Sequence, residues 1–120
     1  MNLVIGGKEY TLEFGLKFIN ELDKAYTQRL NGVEFGMGVE SAITYLAMEN
    51  PTVLYQIIKA GTSHLKSKPS NDDIEKFLIE HAEKGTLEKL FKDIQEAMEN
   101  APFLKQKIQN FKKQAAVVNE

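Results

Sequence analysis

The segment from Phe14 to Gly38 constrains the fold most, because a strongly amphipathic helical pattern is followed by a run rich in glycine. Apolar residues recur at steps of three and four, which places them along one face of an α-helix. This face comprises Leu16, Ile19, Leu22, Tyr26 and Leu30, widened by Phe18 and Ala25. The pattern predicts a helix over residues 16–30, ended at Asn31-Gly32, a pair that commonly adopts the left-handed conformation closing a helix. The glycines that follow predict an irregular connection packed by Phe35 and Met37.

The residues before this segment have the pattern of a β-hairpin. Gly6 and Gly7 separate two short segments, and glycine accepts the positive φ of a two-residue type I′ or II′ turn. With Ile5 opposite Lys8, one face is apolar. It carries Met1, Leu3, Ile5, Tyr10, Leu12 and Phe14. Because an isolated hairpin is marginally stable in water, we expect this hairpin, residues 2–13, to pack on the first helix.

The rest of the chain has helical periodicity interrupted by capping and turn residues. Helices are predicted over residues 39–48, from residue 51 to between residues 60 and 65, after Ser70, after Thr86 and from about residue 103. Asn50, Ser70 and Thr86 are residue types that cap helix N-termini, and Gly85 is suited to a C-terminus. The predicted fold class is therefore mainly α (α+β), with an N-terminal β-hairpin packed on a bundle of five or six helices. The predicted core contains Leu16, Ile19, Leu22, Ile43, Leu46, Leu54, Ile57, Leu90 and Ile94.

Length and periodicity also predict the domain organisation. The 120 residues suffice for one domain with a substantial core, and we assign residues 1–113 to a single helical domain that includes the N-terminal hairpin. The short polar segment at residues 66–70 is a candidate hinge. No apolar stripe continues over residues 114–120, so a flexible tail is expected there.

Composition excludes several classes of function. Fifteen basic and seventeen acidic residues give a net charge of −2, which argues against nucleic acid as a main partner. The N-terminus has neither the basic start nor the long apolar run of a signal peptide or membrane span. The chain has no cysteine, which excludes a disulfide scaffold and fits a reducing compartment. We expect a cytoplasmic protein without a membrane partner.

No residue set has the spacing of a catalytic or metal site. His64 and His81 are the only histidines, and they lie in different predicted elements, whereas zinc needs three or four convergent ligands. No serine lies in a Gly-x-Ser-x-Gly turn. The run from Phe35 to Gly38 lacks the lysine and the serine or threonine of a phosphate-binding loop. We therefore expect a protein that is not an enzyme, with no catalytic, cofactor-binding or metal-binding residue and no cofactor.

The order of the elements resembles a known family. The Gly-Gly hairpin is followed by Phe14–Lys24, by Gly32–Gly38, and then by Asn50-Pro51 and Leu54–Thr62. This order and spacing, over about residues 1–80, resembles the tail assembly chaperones of long-tailed bacteriophages and related prophages. The resemblance implies a small helical protein that binds the tape measure protein and keeps its long hydrophobic helix soluble until the tail tube polymerises around it.

The resemblance also implies partners and a location. In that family a longer product is often made by ribosomal frameshifting, and we expect this chain to be the shorter product. Self-association is expected, as is location in the cytoplasm of the bacterial host and absence from the mature virion. The candidate partner-binding residues are Phe35, Met37, Phe103, Leu104, Ile108 and Phe111, although the last four could instead pack on the chain's own core. The alternative class is a non-enzymatic helical adaptor or an antitoxin-like regulatory module.

Overall fold

A computed structural model describes the backbone of residues 1–118 and the side chains of residues 1–115. Over these residues, six helices and two β-hairpins follow one another along the chain. The strands are β1 (Asn2–Ile5), β2 (Lys8–Thr11), β3 (Thr27–Leu30) and β4 (Val33–Gly36). The helices are α1 (Leu16–Ala25), α2 (Gly38–Ala47), α3 (Pro51–Gly61), α4 (Asn71–Lys84), α5 (Leu87–Glu99) and α6 (Pro102–Val118). The predicted fold class, mainly α (α+β) with an N-terminal hairpin on a helical bundle, is confirmed.

The N-terminal hairpin forms in the predicted register, but its main helix neighbours differ from those expected. Ile5 pairs with Lys8, and the apolar residues Leu3, Ile5, Tyr10 and Leu12 are buried. Strand β1 runs beside α4, and the Glu13 N–H donates to the Gly61 carbonyl oxygen at the end of α3 (2.9 Å). Packing on α1 is predicted; next to the hairpin, Phe14 contacts α1, with its ring edge-on to Phe18 at 5.0 Å.

The structure contradicts the predicted helix over residues 16–30. Helix α1 ends at Ala25, Tyr26 adopts an extended conformation (φ −128°), and the chain forms a second hairpin, β3–β4. Asn31 and Gly32 have positive φ (53° and 79°), as predicted, but they form the hairpin turn and not a helix C-terminus. An Asn-Gly pair flanked by alternating apolar residues is a strong local hairpin signal, and here it outweighs the helical periodicity. The predicted irregular connection is therefore strand β4.

The buried face of α1 is rotated from the predicted one. Phe18 and Leu22, four positions apart, are almost completely buried, whereas Leu16 is 63% exposed. Because a helix turns about 100° per residue, Leu16 lies on the side nearly opposite Phe18. The prediction that Leu16 belongs to the core is wrong, and Ile19 is half-buried. The other predicted core residues are buried, namely Leu22, Ile43, Leu46, Leu54, Ile57, Leu90 and Ile94.

Two of the three predicted N-terminal caps form. The Asn50 Oδ1 accepts a hydrogen bond from the Thr52 N–H, and the Ser70 Oγ accepts one from the Asp73 N–H. Gly85 ends α4 in the left-handed conformation, with φ of 72°. Thr86 occupies the predicted N-cap position of α5, but its side chain makes no capping hydrogen bond.

The structure describes the whole of the predicted hinge and the backbone of residues 114–118 of the predicted tail. In the segment 66–70, Pro69 is buried and the Lys8 Nζ donates to the Ser67 Oγ (3.0 Å), which links this segment to the N-terminal hairpin. Helix α6 includes residues 114–118 of the expected tail, and residues 119–120 lie outside the described residues. The hinge and the flexibility of the tail stay predictions.

Candidate functional site

The second hairpin, β3–β4, is held against α1 by its two ends. The Met37 N–H donates to the Tyr26 carbonyl oxygen (2.8 Å), and the Gly38 N–H donates to the Asp23 Oδ1 (2.8 Å). A Cβ at Gly38 would lie 2.5 Å from the carbonyl carbon of Leu22, a distance that the backbone of α1 cannot accommodate. The glycine at position 38 is therefore explained by close packing of the returning chain on α1.

One face of this hairpin is apolar and uncovered. Leu30 pairs with Val33 and Gln28 pairs with Phe35, and side chains of directly opposite residues lie on the same face of a sheet. Leu30 and Val33 are each 62% exposed, and Phe35 is 41% exposed. Exposed apolar residues that form a contiguous patch are typical of interaction surfaces.

A groove between α2 and α6 continues this face. Its volume is about 360 Å³. It is lined by Gln28, Met37, Glu40, Ser41, Thr44, Tyr45, Met48 and Phe111. Because Gln28 belongs to both the groove and the apolar face of β3–β4, the two are contiguous. We call them together the hairpin–groove surface, and its apolar side chains are Leu30, Val33, Phe35, Met37, Tyr45, Met48 and Phe111.

Helix α6 places Phe111 in the groove through buried residues on its own inner face. Leu104 and Ile108 are 0% and 2% exposed and belong to the core. The Lys107 Nζ forms an ion pair with the Glu40 Oε2 of α2 (3.0 Å), and Lys112 pairs with Glu99 of α5. These contacts fix one wall of the groove relative to the other.

Tyr45, which lines the groove, packs beside Tyr26, which does not line it. The ring centroids of Tyr26 and Tyr45 are 5.8 Å apart, and the rings are tilted by 36°. Burial raises the pKa of Tyr26, and the neighbouring Tyr45 raises it further. Both effects favour the neutral phenol of Tyr26, which supports Tyr45 from behind without adding a charge.

The structure brings together three of the six predicted partner-binding residues. Met37 and Phe111 line the groove, and Phe35 lies on the contiguous hairpin face. Phe103 is 58% exposed but does not line the groove. Leu104 and Ile108 pack on the chain's own core, so they are unavailable to a partner in this structure and are excluded from the surface.

Four residues of this surface were missed by sequence reasoning. Leu30 was assigned to a helix, Val33 to an irregular connection, and Tyr45 and Met48 were not singled out. The Asn-Gly turn between alternating apolar residues could have revealed the hairpin and its exposed face. The groove residues had no local signal, because α6 forms the other wall and lies more than fifty residues further along the chain.

A second groove, between α3 and α4, has the same volume, about 360 Å³. It is lined by Pro51, Thr52, Tyr55, Gln56, Glu75 and Leu78. Its lining includes no residue of an exposed apolar strand. The hairpin–groove surface differs from it in having the exposed apolar face of β3–β4 beside the groove.

Neither histidine contributes to a recognisable metal site. The His81 Nδ1 lies 2.7 Å from the Thr86 Oγ1, and the His64 Nε2 lies 3.7 Å from the Glu13 Oε1. Within the described residues, no group of three or more His, Cys, Asp or Glu side chains could hold a metal ion. Both histidines thus have ordinary polar neighbours.

Comparison with known proteins identifies the family. A family model described as phage tail assembly chaperone protein, TAC, matches residues 2–113. The chain belongs to the phage tail assembly chaperones. No curated protein and no solved structure matched the chain.

The family model matches more of this tail assembly chaperone than the sequence motifs cover. The resemblance covered about residues 1–80, whereas the match also includes α4, α5 and most of α6. Helix α6 supplies one wall of the groove, so the hairpin–groove surface lies within the matched range. A chaperone family implies a non-catalytic role. In the part of the chain that the structure describes, no helix is long and apolar enough to cross a membrane.

Proposed function

We propose that this tail assembly chaperone binds the tape measure protein of its phage through the hairpin–groove surface and keeps that client soluble until the tail tube assembles. The observation that carries the proposal is the uncovered apolar face of β3–β4, where Leu30, Val33 and Phe35 are 41–62% exposed. A folded chain gains nothing from exposing these side chains to water. A client with its own unpartnered apolar stripe would cover them.

The shape of the surface favours a helical client. An amphipathic helix binds in a groove through apolar anchors at positions i, i+3, i+4 and i+7. The groove between α2 and α6 provides the flexible side chains of Met37 and Met48 and the ring of Phe111. Methionine adapts its shape to irregular partners, which suits a long client whose successive segments differ in sequence.

Two ion pairs compensate charges at the surface, so binding should depend mainly on apolar contacts. Glu40 lines the groove and pairs with Lys107. On the other face of β3–β4, Arg29 and Glu34 form an ion pair at 3.3 Å. Fully burying one large apolar side chain contributes about 1.5–3 kcal/mol, so a few such anchors suffice for a stable complex.

The proposal includes several copies acting on one client. A long helix has room for many chaperones, and copies that self-associate would cover it continuously. We further propose a longer form made by frameshifting as an additional partner. In this scheme the protein works in the cytoplasm of the bacterial host and is absent from the mature virion.

Co-expression with the tape measure protein of the same phage tests the proposal. The client should be soluble with the chaperone and precipitate without it. Leu30→Glu should abolish this rescue, because a carboxylate in the apolar surface would lose its hydration on binding. Leu16→Glu is the matched control, since Leu16 is equally exposed (63% against 62%) but lies on α1 outside the surface.

Two outcomes would contradict the proposal. If the client is equally soluble alone, the holding function is wrong. If Leu30→Glu and Leu16→Glu rescue the client equally well while both variants remain folded by circular dichroism, the assigned surface is wrong. The purified complex should also survive added salt, since buried apolar area is not screened by ions. Dissociation of the complex at moderate salt would show that attraction between charges, and not apolar contact, holds it together.

A further inference from the structure

The free edge of β1 has backbone groups without hydrogen-bond partners. The Leu12 N–H donates to the Met1 carbonyl oxygen (2.8 Å), which sets the phase of the β1–β2 ladder. In an antiparallel pair, backbone groups point alternately toward and away from the partner strand. The odd-numbered residues of β1 therefore face β2, and Asn2 and Val4 direct their backbone N–H and C=O groups away from it. These groups accept or donate no backbone hydrogen bond among the described residues.

A cavity of about 490 Å³ lies beside this edge, between β1, α4 and α5. The apolar part of its lining includes Leu3, Phe77 and Leu90. The polar part consists of Asn2, His81, Lys84, Thr86, Lys89 and Asp93. We call the cavity and the free edge of β1 together the edge groove.

The polar rim of the edge groove has an excess of positive charge. Lys89 is paired with Asp93 at 2.7 Å, so their charges compensate each other. Lys84 takes part in no ion pair with any residue that the structure describes. A carboxylate brought into the groove would meet Lys84 directly and could share Lys89.

We propose that the edge groove binds an extended segment of a partner protein in which apolar and acidic residues alternate, and that this segment adds to β1 as a third strand. Backbone hydrogen bonds to Asn2 and Val4 would supply affinity, and alternate side chains would supply specificity. Because successive side chains of a strand point to opposite faces, the apolar side chains face the lining residues Leu3 and Phe77. The acidic side chains project from the open side of the groove, beside the lysines at its rim.

Two features of β1 favour strand addition. Exposed edges are usually protected by lysine, proline, a bulge, a very short strand or a covering element. Strand β1, with the sequence Asn-Leu-Val-Ile and a continuous register, has no lysine, proline or bulge, but it has only four residues and α4 lies beside it. A two-stranded sheet also gains stability from a third strand.

This site is independent of the proposed client-binding surface. The edge groove and the hairpin–groove surface share no lining residue. The ligand also differs in conformation, because a helix has no free backbone groups to offer to a strand edge. Loss of one binding activity should leave the other intact.

A labelled synthetic peptide tests the inference with the full-length protein. The probe is acetylated and amidated Thr-Val-Glu-Val-Glu-Val-Thr, and binding is followed by fluorescence anisotropy. We expect saturable binding at submillimolar peptide. The same peptide with lysine in place of both glutamates should bind at least about tenfold more weakly, as expected for charge reversal beside two lysines.

Variants of the protein locate the site. Val4→Pro removes the outward N–H but no hydrogen bond to β2, and proline is tolerated at strand edges. Val4→Pro and Lys84→Glu should each weaken binding at least about tenfold. Lys92→Glu is the charge-matched control, because Lys92 is exposed on α5 and does not line the groove. Hydrogen exchange at the Val4 amide should slow when the peptide is bound.

Three results would overturn the inference. The first is no binding of the acidic peptide at millimolar concentration. The second is equal binding of the acidic peptide by Lys84→Glu and by the Lys92→Glu control. This comparison does not depend on whether Val4→Pro folds. The third is unchanged exchange at the Val4 amide in a saturated complex. If the Lys84→Glu variant still keeps the tape measure protein soluble, a failure of peptide binding concerns the edge groove alone and leaves the proposed function intact.

Discussion

At the residue scale, burial in α1 separates two leucines that belong to the same predicted face. Leu22 is 0% exposed and Leu16 is 63% exposed. Both fit a spacing of three and four residues, but the ten-residue helix turns toward the core the face that carries its two fully buried side chains. Those are Phe18 and Leu22, and Leu16 is turned away from them.

This difference predicts opposite results for two identical substitutions. Leu22→Ala should lower the free energy of unfolding by about 2–5 kcal/mol, because it removes buried methyl groups and leaves a cavity. Leu16→Ala should change it by less than about 0.5 kcal/mol, as is usual for surface positions. Chemical denaturation of the two variants measures both values. A small loss for Leu22→Ala would place that residue outside the core.

At the element scale, the two hairpins have similar turns and opposite environments. Both have two-residue turns with positive φ, Gly6-Gly7 and Asn31-Gly32. Strand β1 alternates between buried and exposed residues, whereas every residue of β3 and β4 is exposed. An isolated two-stranded sheet is marginal in water, so the second hairpin depends on its anchors to α1 or on a partner.

Hydrogen exchange should distinguish the two hairpins. In the monomer, ladder amides of β3–β4 should exchange at least about tenfold faster than those of β1–β2, a factor that corresponds to about 1.4 kcal/mol in opening free energy. The first hairpin is the internal control, because it has the same strand lengths and packs on the core. Equal protection at low protein concentration would show that β3–β4 is stable without further cover. Addition of the client should slow exchange in β3–β4 selectively.

At the scale of the whole molecule, the exposed apolar area and the low net charge favour association. The net charge is −2, so repulsion between copies is weak. The hairpin–groove surface joins the exposed side chains of Leu30, Val33 and Phe35 to the groove between α2 and α6. Without a client, a second copy can cover part of it.

We therefore expect the mass in sedimentation to rise with protein concentration. Leu30→Glu should shift the equilibrium toward the monomer, because it places a charge in the associating surface. Leu16→Glu, with equal exposure outside the surface, should not. A strict monomer over a wide range of concentrations would contradict self-association, while leaving client binding to its own test.

The sequence by itself determined the features that depend on neighbouring residues. Turn chemistry at Gly6-Gly7 set the register of the first hairpin, and side-chain caps at Asn50 and Ser70 set the starts of two helices. The order of these elements was sufficient to indicate the family. The turn and the two caps act over fewer than about five residues, so they depend little on the tertiary context.

Only the tertiary structure decided which apolar side chains remain free for a partner. Over residues 16–30, the helical spacing predicts a helix and the Asn-Gly pair that follows predicts a hairpin turn. The structure has the hairpin, with Gly38 packed against Leu22. Leu104 and Phe111 belong to one helix, yet the first is buried against the core and the second lines a groove. Whether an apolar residue belongs to the core or to the surface depends on which distant segment of the chain packs beside it. The local sequence pattern does not say which segment that is.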